Sequence, residues 1–130
     1  MIQKDLELLK TLKILYVEDD PDISKFMMEI LDKISMKTTA AANGKEALEA
    51  FKKDEPDLVI TDLRMPEMTG MELSAEIKKI NEKTPVIILS AHNESEYIEN
   101  ALSLGLDRYL IKPVDVDKLI EAIIHIVKNL

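Results

Sequence analysis

The chain has no cysteine and no tryptophan in its 130 residues. The first absence excludes disulfides, thiolate zinc sites and cysteine nucleophiles. Aromatic residues make up 4% of the sequence, too few to build the stacked platforms on which single-stranded nucleic acid is held. Positive charge is also in deficit: 17 Lys and Arg against 25 Asp and Glu, a net charge of −8. Such a balance argues against direct binding of nucleic acid, and suits divalent cations or basic protein partners. No apolar run approaches the roughly 20 residues of a membrane span. The opening MIQKDLELLKT lacks the apolar core of a signal peptide, because charges interrupt every apolar pair. The expectation is a cytoplasmic protein with no membrane partner. There is no repeat, low-complexity tract or linker, and the length fits one domain.

What is present is a regular alternation of two hydrophobic periods. Residues 1–11 read as a short helical extension, with Ile2, Leu6 and Leu9 near helical spacing; residues 12–130 read as the domain. Leu12 to Val17 is a β-like run that ends in Glu18-Asp19-Asp20. Asp20-Pro21 reads as an N-cap followed by proline at the first helical position. The helix after it carries Ile23, Phe26, Met27, Ile30, Leu31 and Ile34 at helical spacing. A weaker strand at 37–42 precedes Asn43 and Glu46, a capping-box pair that opens a helix with Ala47, Leu48 and Phe51. Leu58-Val59-Ile60 begins a third strand, and Thr69 with Glu72 caps the helix at about 71–81. Pro85 to Leu89 is a fourth strand. Asn93 with Glu96 caps a helix carrying Tyr97, Ile98, Ala101, Leu102 and Leu104. Arg108 to Ile111 is a fifth strand, and Asp115 caps a last helix running to Leu130. Five β–α alternations at short spacing predict an α/β, doubly wound fold with parallel strands, right-handed crossovers and helices on both faces. The continuously apolar runs at 58–60 and 86–89 suit strands buried on both sides.

Ligands of open α/β sheets bind at the carboxyl ends of the strands, and here those ends carry chemistry. The first strand ends in Glu18-Asp19-Asp20, the third in Asp62, the fourth in Ser90 and the fifth in Lys112. Converging carboxylates repel and attract a hard cation, for which Mg2+ fits: it accepts one or two carboxylates and takes phosphate oxygens. A lysine can pair with an acid or hold a phosphoryl group, and a hydroxyl can donate to a phosphate oxygen. The inventory is that of phosphoryl transfer to a carboxylate. Asp20 has a simpler occupation as a helix cap, and His125 lies opposite the apolar stripe of the last helix, toward solvent. That stripe (Val116, Leu119, Ile120, Ile123, Val127 and Leu130, widened by Ile124 and Ile126) reads either as a broad core face or as the border of a partner surface.

Four segments carry a family likeness: VEDDPD at 17–22, TDLRMPEMTG at 61–70, ILSA at 88–91 and YLIKP at 109–113. In order and in place at strand ends, they resemble the signature segments of bacterial response-regulator receiver domains, the chemotaxis-regulator-like switches of two-component signalling. The likeness spans roughly residues 12–128. It implies a flavodoxin-like (βα)5 fold with strand order 2-1-3-4-5. It implies Asp62 as phosphoacceptor, with Glu18, Asp19, Asp62 and the main-chain carbonyl of Arg64 as the Mg2+ site, Mn2+ being an alternative. Ser90 matches the switch hydroxyl, Lys112 the site lysine, Tyr109 the aromatic that changes rotamer, and Lys112-Pro113 a cis peptide bond. The implied function is a phosphorylation-dependent switch, a phosphoprotein of a phosphorelay, that takes its phosphoryl group from a sensor histidine kinase or phosphotransfer protein. It signals to a downstream protein or output domain through the face of the fourth βα-unit helix, the fifth strand and the last helix. Such a chain is no enzyme beyond catalysing its own phosphorylation and dephosphorylation.

Two features depart from the commoner pattern. The acidic pair is Glu-Asp where Asp-Asp is usual, and Arg64 and His92 occupy positions expected to tune dephosphorylation by admitting or blocking water. Competing readings are a constitutive interaction module on the same fold and the receiver portion of a longer regulator. A magnesium phosphatase with an Asp nucleophile usually places a second acid two residues on, where this chain has Arg64. A flavin protein would need a hydroxyl- and glycine-rich loop after the first strand.

Overall fold

A computed structural model describes residues 3–91 and 108–129. In chain order the elements are α1 (Gln3–Leu9), β1 (Lys13–Val17), α2 (Pro21–Ile34), β2 (Lys37–Ala41), α3 (Gly44–Lys53), β3 (Leu58–Asp62), α4 (Gly70–Ile80), β4 (Val86–Ser90), β5 (Arg108–Ile111) and α5 (Val116–Lys128). The helix expected to start at Asn93 falls outside the described residues, as does His92.

All four strand pairings are parallel, in the order β2-β1-β3-β4-β5. This is the doubly wound, flavodoxin-like arrangement. The period of two sorts each strand's side chains between two cores. Leu15, Val17, Val59, Val86 and Ile88 face α3 and α4, where they meet Ala47, Phe51, Leu73 and Ile77. Ile14, Tyr16, Leu58, Ile60, Ile87 and Leu89 face α2 and α5, where they meet Met27, Leu31, Leu119, Ala122 and Ile123. Every residue of β3 and β4 is buried, whereas the edge strands β2 and β5 keep partly exposed positions. The central pair therefore gains the full hydrophobic contribution along its length.

Local chemistry sets where the helices begin. Asp20 Oδ1 accepts from the N–H groups of Asp22 and Ile23, at 2.9 and 3.2 Å. Asp115 does the same for Asp117 and Lys118. Thr69 and Glu72 form a full reciprocal capping box. At Asn43 the return bond comes from the side-chain amide, which donates to Glu46 at 3.2 Å.

Two expectations about apolar faces are altered. Ile23 and Phe26 are exposed, at 44% and 60%. Phe26 sits about 100° round the helix from Met27, off the stripe that Met27 and Leu31 press on the sheet, and Ile23 lies in the first turn. In α5, Leu119, Ala122 and Ile123 are buried while Ile120, Ile124, Ile126 and Val127 are half-buried; His125 faces solvent. The opening residues dock rather than trail: Leu9 is buried in the same core as α5, and Asp5 Oδ1 lies 2.8 Å from Lys128 Nζ.

The turn that follows β3 leaves room for no side chain at its end. A Cβ on Gly70 would collide with the backbone carbonyl of Asp62, and would lie 3.1 Å from Leu63 Cα. A Cβ on Gly44 would instead meet Met68, 2.9 Å from its Cβ and Cγ, a flexible side chain that can yield. Gly70→Ala is expected to cost about 3 kcal/mol in urea unfolding and Gly44→Ala about 1 kcal/mol. Equal costs would show that the Asp62 backbone is free to move.

Candidate functional site

The strand order brings four chain segments to one rim. Val17 pairs with Thr61, Asp62 with Leu89, and Ser90 with Ile111, so Glu18, Asp62, Ser90 and Lys112 lie at the carboxyl ends of adjacent strands. Glu18 is fixed by its backbone N–H, which donates to Ala41 O at 3.0 Å. Lys112 is fixed likewise by donating its N–H to Ser90 O at 2.7 Å. The loop from Asp62 is anchored at both ends: Leu63 N–H donates to Leu89 O at 2.9 Å, and Gly70 N–H to Leu63 O at 2.7 Å. Within it Glu67 adopts φ 70°, a left-handed conformation that L-residues adopt at a cost.

Glu18, Asp62 and Ser90 are buried at 3%, 4% and 1% exposure, while Asp19 is exposed. Glu18, Asp19 and Asp62 each place a carboxylate oxygen within 4.8 Å of the others. Lys112 Nζ lies 2.6 Å from Asp62 Oδ1 and 4.0 Å from Glu18 Oε1. Among the described residues, no donor reaches Glu18 Oε1, Glu18 Oε2 or Ser90 Oγ in hydrogen-bonding geometry. Buried polar atoms without partners are costly, and three carboxylates here face one ammonium. The imbalance is visible in protonation. Burial, and then the closeness of Asp62, push the Glu18 carboxyl up to about 8, with Lys112 opposing the shift. The donor set fits a hard divalent cation, which would engage the orphaned oxygens and offset the surplus charge.

The remaining sequence candidates are less central. Arg64 is exposed in the loop two residues beyond Asp62. Tyr109 is half-buried on β5 and packs against the core shared with α3 and α4. The Lys112-Pro113 bond is cis. Asp20 serves as a helix cap.

Sequence reasoning passed over Tyr16. It is 1% exposed, and burial together with Glu18 and Asp62 holds its phenol well above the usual range, hence protonated. With Glu18, Lys112, Leu89, Phe26 and Pro113 it lines a cavity of about 260 Å3 beside the acids. The signal was available: Tyr16 lies in β1 and Glu18 just beyond its end, two residues apart, the spacing that puts two side chains on one side of extended backbone.

A parallel five-stranded sheet with an acidic cluster, a buried hydroxyl and a lysine at its carboxyl rim defines the class. Comparison with known proteins places the chain within it. The family model of the response regulator receiver domain matches residues 14–124. The chain is 37% identical over 111 residues to sporulation initiation phosphotransferase F of Bacillus subtilis, an alignment covering 85% of this chain and 90% of that protein. It is 41% identical over 114 residues to the transcriptional regulatory protein GlrR of Escherichia coli, covering 88% of this chain but only 26% of that protein. Among solved structures, a response regulator receiver domain protein from Clostridium thermocellum superposes with a TM-score of 0.84 at 32% identity, covering 90% of this chain and 94% of that one. The chain belongs to the response-regulator receiver family, the receiver domains of two-component response regulators.

The protonation of Glu18 makes stability depend on pH in the absence of metal. Unfolded, the carboxyl titrates near 4.5; folded, near 8. Between these values the folded state holds a proton that the unfolded state has lost, so stability falls as pH rises from about 4.5 to 8. Urea unfolding in chelator is expected to show this decline, on the order of a few kcal/mol, and Glu18→Gln is expected to flatten it. An unchanged slope in the variant would mean that Glu18 is charged throughout.

Proposed function

We propose that this chain is a phosphorylation-dependent switch in which Asp62 accepts a phosphoryl group from the phosphohistidine of a sensor kinase or phosphotransfer protein. The observation that carries the reading is a single buried strand-end carboxylate, Asp62, with the Lys112 ammonium at 2.6 Å and the unpartnered Ser90 hydroxyl at the end of the neighbouring strand. In the transfer, an Asp62 carboxylate oxygen forms the new P–O bond as the donor's P–N bond breaks, and the released imidazole nitrogen takes up a proton. Glu18 and Asp19, with Asp62 and the main-chain carbonyl of Arg64, would hold Mg2+, or Mn2+ as the alternative; a cation bound there supplies charge neutralisation for the phosphoryl oxygens.

The chain's own residues then do the rest. Lys112 exchanges its carboxylate partner for a phosphoryl oxygen, a stronger charge-assisted contact. Ser90 gains an acceptor for a hydroxyl that has no partner among the described residues. Its movement leaves space for Tyr109 to turn inward, and the surface formed by the helix expected after β4, by β5 and by α5 changes its affinity for a downstream protein or output domain. This is a population shift driven by local charge. Arg64 and His92 govern access of the hydrolytic water. Likeness to a protein of which this chain spans about a quarter, GlrR, supports a reading in which the output is a further domain. The switch acts in the cytoplasm and catalyses only its own modification.

Intact-mass measurement after incubation with Mg2+ and a small acyl phosphate is the test. One labile phosphoryl adduct is expected, absent in Asp62→Asn and formed about a hundredfold more slowly in Lys112→Ala. No adduct on the wild type would favour a constitutive interaction module; sustained hydrolysis of an added phosphate ester would favour an enzyme.

A further inference from the structure

Four side chains that the phosphoryl chemistry does not account for meet in one place. Phe26 and Ile23 are large and apolar yet exposed on α2. Tyr16 is buried in β1 beside the acids. Glu18 is 3% exposed, and among the described residues neither of its carboxylate oxygens has a hydrogen-bond partner. All four line the cavity of about 260 Å3 that runs between α2 and the segment after β5.

The exposures order its walls. Ile23, Phe26 and Pro113 stand at the mouth, and the buried Tyr16, Met27 and Leu89 form the floor with Glu18. Asp19 and Asp62 do not line it. Lys112 does, but its ammonium is committed to Asp62, at 2.6 Å against 4.0 Å from Glu18 Oε1. The cavity thus presents one buried carboxyl group to an otherwise apolar and partly aromatic space.

Size and charge then select an occupant. A dry cavity of about 150 Å3 holds benzene, so this one has room for a six-membered ring with a short arm. A carboxylate or phosphate head would meet Glu18 as a like charge. A neutral head would leave the buried acid without a counter-charge. An ammonium would pair with it through charge-assisted hydrogen bonds, and the rings of Tyr16 and Phe26 attract a cation as well as an apolar body.

We infer that this cavity is a binding site for a small arylalkyl ammonium, with the ring held between Phe26 and the apolar floor and the ammonium on Glu18. The site adjoins the proposed phosphoryl site and shares Glu18 and Lys112 with it, but it does not depend on metal or on phosphorylation.

The test follows the amide resonances of the full chain as 2-phenylethylamine is added, in chelator and without phosphodonor, so that neither Mg2+ binding nor phosphoryl transfer enters the result. Saturable shifts are expected at Tyr16, Phe26, Leu89 and Val114, with half-saturation in the millimolar range that so few ligand atoms allow. 2-Phenylethanol, uncharged and of nearly the same shape, is expected to bind about tenfold more weakly or worse, and Glu18→Gln to weaken the amine by a similar factor. Phe26 is exposed, so Phe26→Ala leaves the fold intact; it is expected to weaken the amine about fivefold. Met36→Ala, which removes an exposed apolar side chain outside the cavity, is expected to change nothing. The inference is overturned by an absence of saturable shifts, by shifts confined to other surfaces, by equal binding of the alcohol, or by indifference to Phe26→Ala. Butylamine binding as tightly as 2-phenylethylamine overturns it too, since any alkyl ammonium would then serve and the aromatic walls would have no part.

Discussion

The crowding of carboxylates at the rim of the sheet governs the rest of this structure. Glu18 and Asp62 are buried side by side, Asp19 stands next to them, and Lys112 faces both buried acids. The crowding shows in Glu18, whose carboxyl is pushed up to about 8 by burial and by Asp62, with Lys112 opposing. A site in this condition gains from any ligand that brings positive charge or that gives the lysine and the serine a better acceptor. The proposed receptivity to a cation and a phosphoryl group rests on this electrostatic frustration.

The frame is rigid for reasons that are visible strand by strand. β3 and β4 are buried along their whole length, and their ends deliver Asp62 and Ser90. β1 delivers Glu18 through a backbone bond to β2, and β5 delivers Lys112 through a backbone bond to Ser90. Gly70 closes the loop after Asp62 so tightly that its own hydrogen occupies the available space. Each polar group is therefore placed by apolar packing behind it, as the proposed switch requires.

Much of this was legible in the residues. Five β–α alternations gave the fold class, because continuous apolar runs and helical stripes have different periods; the strand order came from the resemblance. The caps at Asp20, Thr69 and Asp115 could be read directly, since short polar side chains before an apolar stripe have one main use. The convergence of Glu18, Asp62, Ser90 and Lys112 followed from their places after strands. Phe26 was misjudged because helical spacing alone does not say which part of a wide stripe meets the sheet. Tyr16 was passed over because a tyrosine inside a strand reads as core, and its neighbourhood to the acids depends on which face it takes. The docking of α1 on α5 was beyond reach for another reason: Asp5 and Lys128 are 123 positions apart, and nothing local marks them as partners.

A cation held by these acids, as proposed, would displace the proton that burial and Asp62 favour on Glu18. Calorimetric titration of Mg2+ at pH 7, repeated in buffers of different ionisation enthalpy, counts the protons released on binding. Release of about one proton is expected at pH 7, fading above pH 9 and lost in Glu18→Gln. Binding of Mg2+ at pH 7 with no proton released would contradict it.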